Sequence, residues 1–271
     1  TPTQLLLSLL LGTSDFDRNH DGKINSLDYA VIASLLPVAS PTTGPSPTPG
    51  GSNYISNAIC DPDLGPAAFT TNVTNTYLPF STGYINERNL LNTGTGFNVR
   101  MRILRDPQSN PLIKLINGAD GQNPVSALIL EEYETQNGSL VETSYNWFAQ
   151  TVGGQLPGTV CYFGENVCLP GPPNCGASGS WEAGQPNARA GIMMPPQAYL
   201  TVGRNWLIED AAAYSAYEDG KVQLTGITFT TPAGTFNNVI YILEDNGNSN
   251  KRYAPGVGMI SDEGALLTGS Y

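Results

Sequence analysis

Apolar and polar positions follow two different periods along this chain, and the change of period divides it. From Thr3 to Gly12 the run TQLLLSLLLG spreads leucine around nearly the whole circumference of a short predicted helix, which Gly12 stops. A second helix is predicted from the capping residue Ser26 through Leu36, with Leu27, Ala30, Val31, Ile32 and Leu35 on it and Pro37 ending it. From Asn53 onward the period falls to two. Phe97, Val99, Met101 and Ile103 point one way while Asn98, Arg100 and Arg102 point the other, as a half-buried strand requires. Strands are predicted over 125–134 and 140–150, flanking Gln136-Asn137-Gly138-Ser139, because Asn-Gly tolerates the positive φ of a tight hairpin. A second hairpin is predicted at Pro232-Ala233-Gly234, between strands over 225–230 and 238–244, and 246–250 turns the chain again.

Between the two patterns lies PVASPTTGPSPTPGGS, Pro37 to Ser52, which has no apolar period and enough proline to favour an extended spacer. The predicted organisation is therefore a helical unit over 1–36, a linker over 37–52 and a β domain over 53–271. Only 13% of residues are charged, against 30 Gly, 21 Pro and 13 Tyr, a balance that suits short strands and turns. The expected fold class is mainly β with a small α unit: a helix-loop-helix, a Pro-rich linker, and an antiparallel sheet, sandwich or partial barrel.

The loop between the two helices carries the most specific chemistry. Asp17-Arg-Asn-His-Asp-Gly-Lys-Ile-Asn-Ser-Leu-Asp28 places oxygen donors at the alternate positions of a twelve-residue calcium loop. Asp17, Asn19 and Asp21 supply side chains, the carbonyl of Lys23 supplies the seventh-position oxygen, and Asn25 binds directly or through water. Gly22 makes the sharp turn, and Asp28 closes the loop where Glu is usual. Three carboxylates this close repel one another without a cation, so folding of the loop and binding of Ca2+ are expected to be coupled. His20, the sole histidine, falls at an outward-facing loop position.

With Asp17, Asn19, Asp21, Gly22, Ile24, Asn25 and Asp28 matching D-x-N-x-D-G-x-[IV]-N-x-x-D, the loop resembles the dockerin repeat. That resemblance implies calcium-dependent docking on a protein module. Dockerins carry two repeats where this chain has one, and Leu27 stands where they often have a small hydroxyl residue. In the β domain WFAQ at Trp147, CYFGE at Cys161, GSWEAG at Gly179, AGIMMP at Ala190, PAGTF at Pro232 and YAPGVGMI at Tyr253 occur in that order. Over about 144–260 they resemble a family of secreted bacterial β-proteins often preceded by dockerin-like segments, with Cys161 replacing an aromatic and the loop 168–175 added. The resemblance implies a fold and an extracellular location, and brings no activity with it.

The formal net charge of −11 repels nucleic-acid phosphates and anionic headgroups, so no nucleic-acid partner is expected, and no run approaches the roughly 18 apolar residues of a membrane-spanning helix. A chain that starts at Thr1 rather than Met is read as secreted, with its leader removed. Cys60, Cys161, Cys168 and Cys175 form no C-x-x-C pair, which leaves two disulfides with three connectivities, or free thiols. The loop CLPGPPNC favours Cys168 with Cys175, and Cys60 with Cys161 then follows by elimination.

A lone histidine inside the calcium loop rules out a Ser-His-Asp, Cys-His or multi-histidine zinc site in the β domain, and the chain is not expected to be an enzyme. The carboxylates Glu165, Glu182, Glu209 and Asp210 could meet as in glycosidases, although solvated acids are commoner; Trp147, Trp181 and Trp206 could stack on sugar, although aromatic core packing is commoner. A 36-residue helical unit is too small to fold unaided, so Leu5, Leu6, Leu9, Leu10, Leu27, Val31 and Leu35 form an expected docking surface. The leading expectation is a non-enzymatic, extracellular calcium-binding subunit that docks these helices on another copy of itself, extending to a filament. The alternative is a dockerin-anchored β domain that binds or acts on a glycan.

Overall fold

The computed structural model describes residues 53–269, except for residues 85, 120, 155, 172 and 173. The predicted calcium ligands Asp17, Asn19, Asp21, Lys23, Asn25 and Asp28, the docking surface between Leu5 and Leu35, and the linker lie outside the described residues.

Sixteen strands make one sheet among the described residues. In chain order they are β1 Tyr54–Ile55, β2 Phe69–Thr70, β3 Arg88–Asn92, β4 Phe97–Ile103, β5 Ile113–Ile116, β6 Val125–Gln136, β7 Ser139–Thr151, β8 Val160–Cys168, β9 Trp181–Glu182, β10 Gly191–Met194, β11 Asn205–Ala211, β12 Ala216–Thr231, β13 Gly234–Glu244, β14 Ser249–Ala254, β15 Gly258–Asp262 and β16 Ala265–Leu267. One short α-helix, α1, spans Phe80–Gly83. The hydrogen-bonded order runs β1-β11-β12-β13-β14-β15-β16-β3-β4-β6-β7-β8-β10, with β2, β5 and β9 branching from β7, β6 and β8. Every pair is antiparallel except β1 with β11.

The two ends of this order meet. Arg189, just before β10, pairs with Asp210 of β11 as a single antiparallel bridge, its N–H donating to the Asp210 carbonyl at 3.0 Å. A Cβ on Gly191 would lie 1.7 Å from the carbonyl oxygen of Ile208, so the strands approach as closely as they do because that residue is glycine. The sheet thereby closes into a barrel, one of the arrangements expected from the sequence, and closure removes its two long edges.

Local chemistry accounts for the strands. The β6–β7 hairpin turns on Asn137 and Gly138, both at positive φ (51° and 80°), the mirror-image turn whose twist suits paired strands. The second hairpin turns at Pro232-Ala233, and its strands are longer than expected: β12 begins at Ala216 because register shifts at 222–229 break the alternation that would have revealed it. Leu90, Val99, Ile116, Phe163, Ile192, Trp206 and Ile260 are buried in the core. Two disulfides, Cys60–Cys161 and Cys168–Cys175, tie a 3-10 turn to β8 and close the loop after β8; they point to an oxidising compartment. No helix among the described residues is long and apolar enough to cross a membrane.

Candidate functional site

Inward-facing residues of β6 and β7 change character along each strand. On β6 the inner row runs Leu130, Glu132, Glu134, and on β7 it runs Phe148, Asn146, Ser144, Glu142, each at a spacing of two. Register sets Glu134 directly opposite Glu142 and Glu132 opposite Ser144. The inner face is thus apolar at one level and acidic at the next.

Bulges deliver the other acids. Tyr162 and Glu165 are three apart, which regular pleating would put on opposite faces, yet both line the same cavity. The β7–β8 register shifts between Asn146 and Phe148, and Gly164 sits in the shift at φ +128°. A Cβ there would lie 2.2 Å from the Trp181 carbonyl, because β9 pairs with β8 at this position. A second shift, between Leu207 and Glu209, brings the neighbours Ile208 and Glu209 both onto the cavity and sets Glu209 opposite Glu218.

The result is a cavity of about 190 Å³ lined by the six glutamates 132, 134, 142, 165, 209 and 218, with Lys251 the one basic residue among its lining. An aromatic ladder forms one wall: Tyr84 meets Phe80 edge-on at 4.9 Å, Phe80 meets Phe148 at 5.1 Å, and Phe148 stacks on Tyr162 at 4.8 Å. Arg88 covers the Tyr84 ring at 4.1 Å. The six glutamates are half-buried, and the cavity they line is partly open to solvent.

Such an environment favours the neutral acid. Burial, then the neighbouring Asp262, raises Glu132 to about 7. Burial, then Glu132, raises Glu134 to about 9, and burial with Glu244 raises Glu218 to about 9. Burial also raises Glu142. Glu165 and Glu209 lie within hydrogen-bonding reach of each other: burial and the Glu209 charge raise Glu165 well above the carboxylate range, while burial raises Glu209 to about 7. Burial thus favours the neutral form of Glu165 more strongly than that of Glu209. Burial opposes the charge of Lys251, but Glu244, at 2.9 Å, and Asp262 outweigh it and hold the ammonium well above the usual lysine value.

Of the four acids singled out in the sequence, the structure brings together two. Glu165 and Glu209 share the cavity, whereas Glu182 pairs with Lys114 at 2.8 Å and Asp210 with Arg189 at 2.7 Å and the Asn57 amide at 2.9 Å. Glu165 and Glu209 interact as a hydrogen-bonding pair, whereas a retaining glycosidase holds its two carboxyl groups roughly 5 Å apart and an inverting one further. Trp147, Trp181 and Trp206 are all buried and present no exposed platform for a sugar. Sequence reasoning missed Glu132, Glu134, Glu142 and Glu218. A signal for the first three was present: glutamates at a spacing of two on strands whose neighbouring inward positions are leucine and phenylalanine.

Compared with protein-family models, curated proteins and solved structures, the chain matches none.

Proposed function

We propose that this chain is a secreted binding protein whose barrel takes a small ligand in its acidic cavity, and whose helical unit over 1–36 docks it, through Ca2+, on a protein partner. The observation that carries the reading is a cavity whose acids exceed its bases by five, six glutamates against Lys251. Acids set directly across strands, Glu134 from Glu142 and Glu209 from Glu218, destabilise a sheet, either by repulsion when ionised or by burial of a polar group when neutral. Local rules are broken most often where function demands it. The two disulfides support an extracellular location, and the loop Asp17 to Asp28 supports calcium docking. Binding is preferred to glycoside hydrolysis because Glu165 and Glu209 pair with each other rather than flanking a gap of the width glycosidases use. The self-assembling subunit expected from the sequence draws on residues 1–36 alone, so the barrel adds nothing to it.

The test is a thermal-shift screen of the full chain, in calcium, against small sugars, amines, amino acids and carboxylic acids. One class should raise the melting temperature, and Ser144→Phe, which fills the cavity, should abolish that rise. No stabilising class, or a rise that survives Ser144→Phe, overturns the reading.

A further inference from the structure

We propose that the cavity's ligand is a compact organic cation, an amine on a short apolar body. This rests on the binding function proposed above and names its ligand class. Lys251 offsets the glutamates only in part: its ammonium lies 2.9 Å from Glu244, which is 1% exposed, and its pull on Glu132, Glu134, Glu209 and Glu218 is outweighed by their burial. Glu132, Glu134, Glu142 and Glu218 make no hydrogen bond or ion pair among the described residues. The indole N–H of Trp181, 2% exposed, reaches Glu209 from outside the cavity lining.

Carboxylates crowded in a low-dielectric space are relieved either by protons or by a cation. No three acidic side chains among the described residues converge as metal ligands do, which favours a ligand that meets carboxylates singly. The adjoining apolar level supplies Phe80, Phe148 and Tyr162, faces that also attract an ammonium through their ring electrons. At about 190 Å³ the space exceeds the roughly 150 Å³ that admits benzene and falls below the roughly 300 Å³ at which drug-sized sites begin. The ligand is therefore small. An ammonium that enters displaces a proton to solvent from any glutamate still neutral beside it.

Titration calorimetry of the full chain at pH 7.5, in calcium and 150 mM salt, tests this with putrescine and its neutral isostere 1,4-butanediol. Putrescine should bind at least about tenfold tighter, and its heat should depend on the buffer's ionisation enthalpy because protons are released. Glu165→Gln with Glu209→Gln should weaken it at least about tenfold; should that variant fail to fold, Glu134→Gln with Glu218→Gln is read in its place. Equal binding of butanediol, or putrescine binding untouched by a folded variant, overturns the cation. So does binding of neither when another class stabilises the cavity in the thermal-shift screen, and the binding function then stands. Binding of nothing in either experiment overturns both.

Discussion

Gly164 and Gly191 show how single residues determine what the barrel can hold. Each sits where a Cβ would strike backbone, at 2.2 Å from the Trp181 carbonyl and 1.7 Å from the Ile208 carbonyl. Backbone cannot rotate away as a side-chain tip can, so the added carbon must push strands apart. Gly191→Ala is expected to lower stability by about 3 kcal/mol or more, as a clash at the closure between β10 and β11. Gly153→Ala, where a Cβ meets nothing within 4 Å, should stay within about 0.5 kcal/mol. Urea unfolding of the two variants checks the contrast, and equal effects would mean that the barrel is not closed there. At this scale the sequence was partly legible. Glu132, Glu134 and Glu142 keep the period of their strands, whereas Glu165 and Glu209 reach the cavity only because bulges shift them by one position.

Among the elements, β8 is the most constrained. It carries Tyr162 and Glu165 into the cavity, and a disulfide leaves it near each end, from Cys161 to Cys60 and from Cys168 to Cys175. The two bonds span very different lengths of chain, 101 and 7 residues. Loop-closure entropy then assigns about 4.7 kcal/mol to the first and about 2.5 kcal/mol to the second. Cys60→Ser with Cys161→Ser should therefore cost roughly twice as much stability as Cys168→Ser with Cys175→Ser, read by denaturant unfolding at equal pH. Both pairings were legible from spacing, since a seven-residue Pro-rich loop closes readily and leaves one partner for the rest. The full length of β12 was not, because its bulges conceal the alternation that identifies a strand.

For the whole molecule, the acidic interior makes stability depend on pH. Burial raises Glu132 and Glu209 to about 7 and Glu134 and Glu218 to about 9, from an ordinary value near 4.5. Between those limits the folded state holds more protons than the unfolded chain. Stability is thus greatest at or below about pH 4.5 as far as these groups decide it, and falls as pH rises through 7 to 9. Lys251, raised, keeps its charge throughout this range and adds no slope. The ligand-free protein should melt at least about 5 °C lower at pH 8 than at pH 5. Glu134→Gln with Glu218→Gln should flatten that difference, and scanning calorimetry across the range decides it; a melting temperature that rises from pH 5 to 8 would contradict the acidic interior.

The sequence by itself determined the β character of residues 53–269 and the Asn137-Gly138 hairpin and favoured the two disulfide pairings that formed, because each depends on neighbours along the chain or on loop length. Only the tertiary structure decided that β10 returns to β11 and that six glutamates from five strands face one space. The reason is physical. Closing a barrel depends on the summed register of all its strands, and whether an acid is solvated or enclosed depends on what lies across the barrel from it, which no local pattern records.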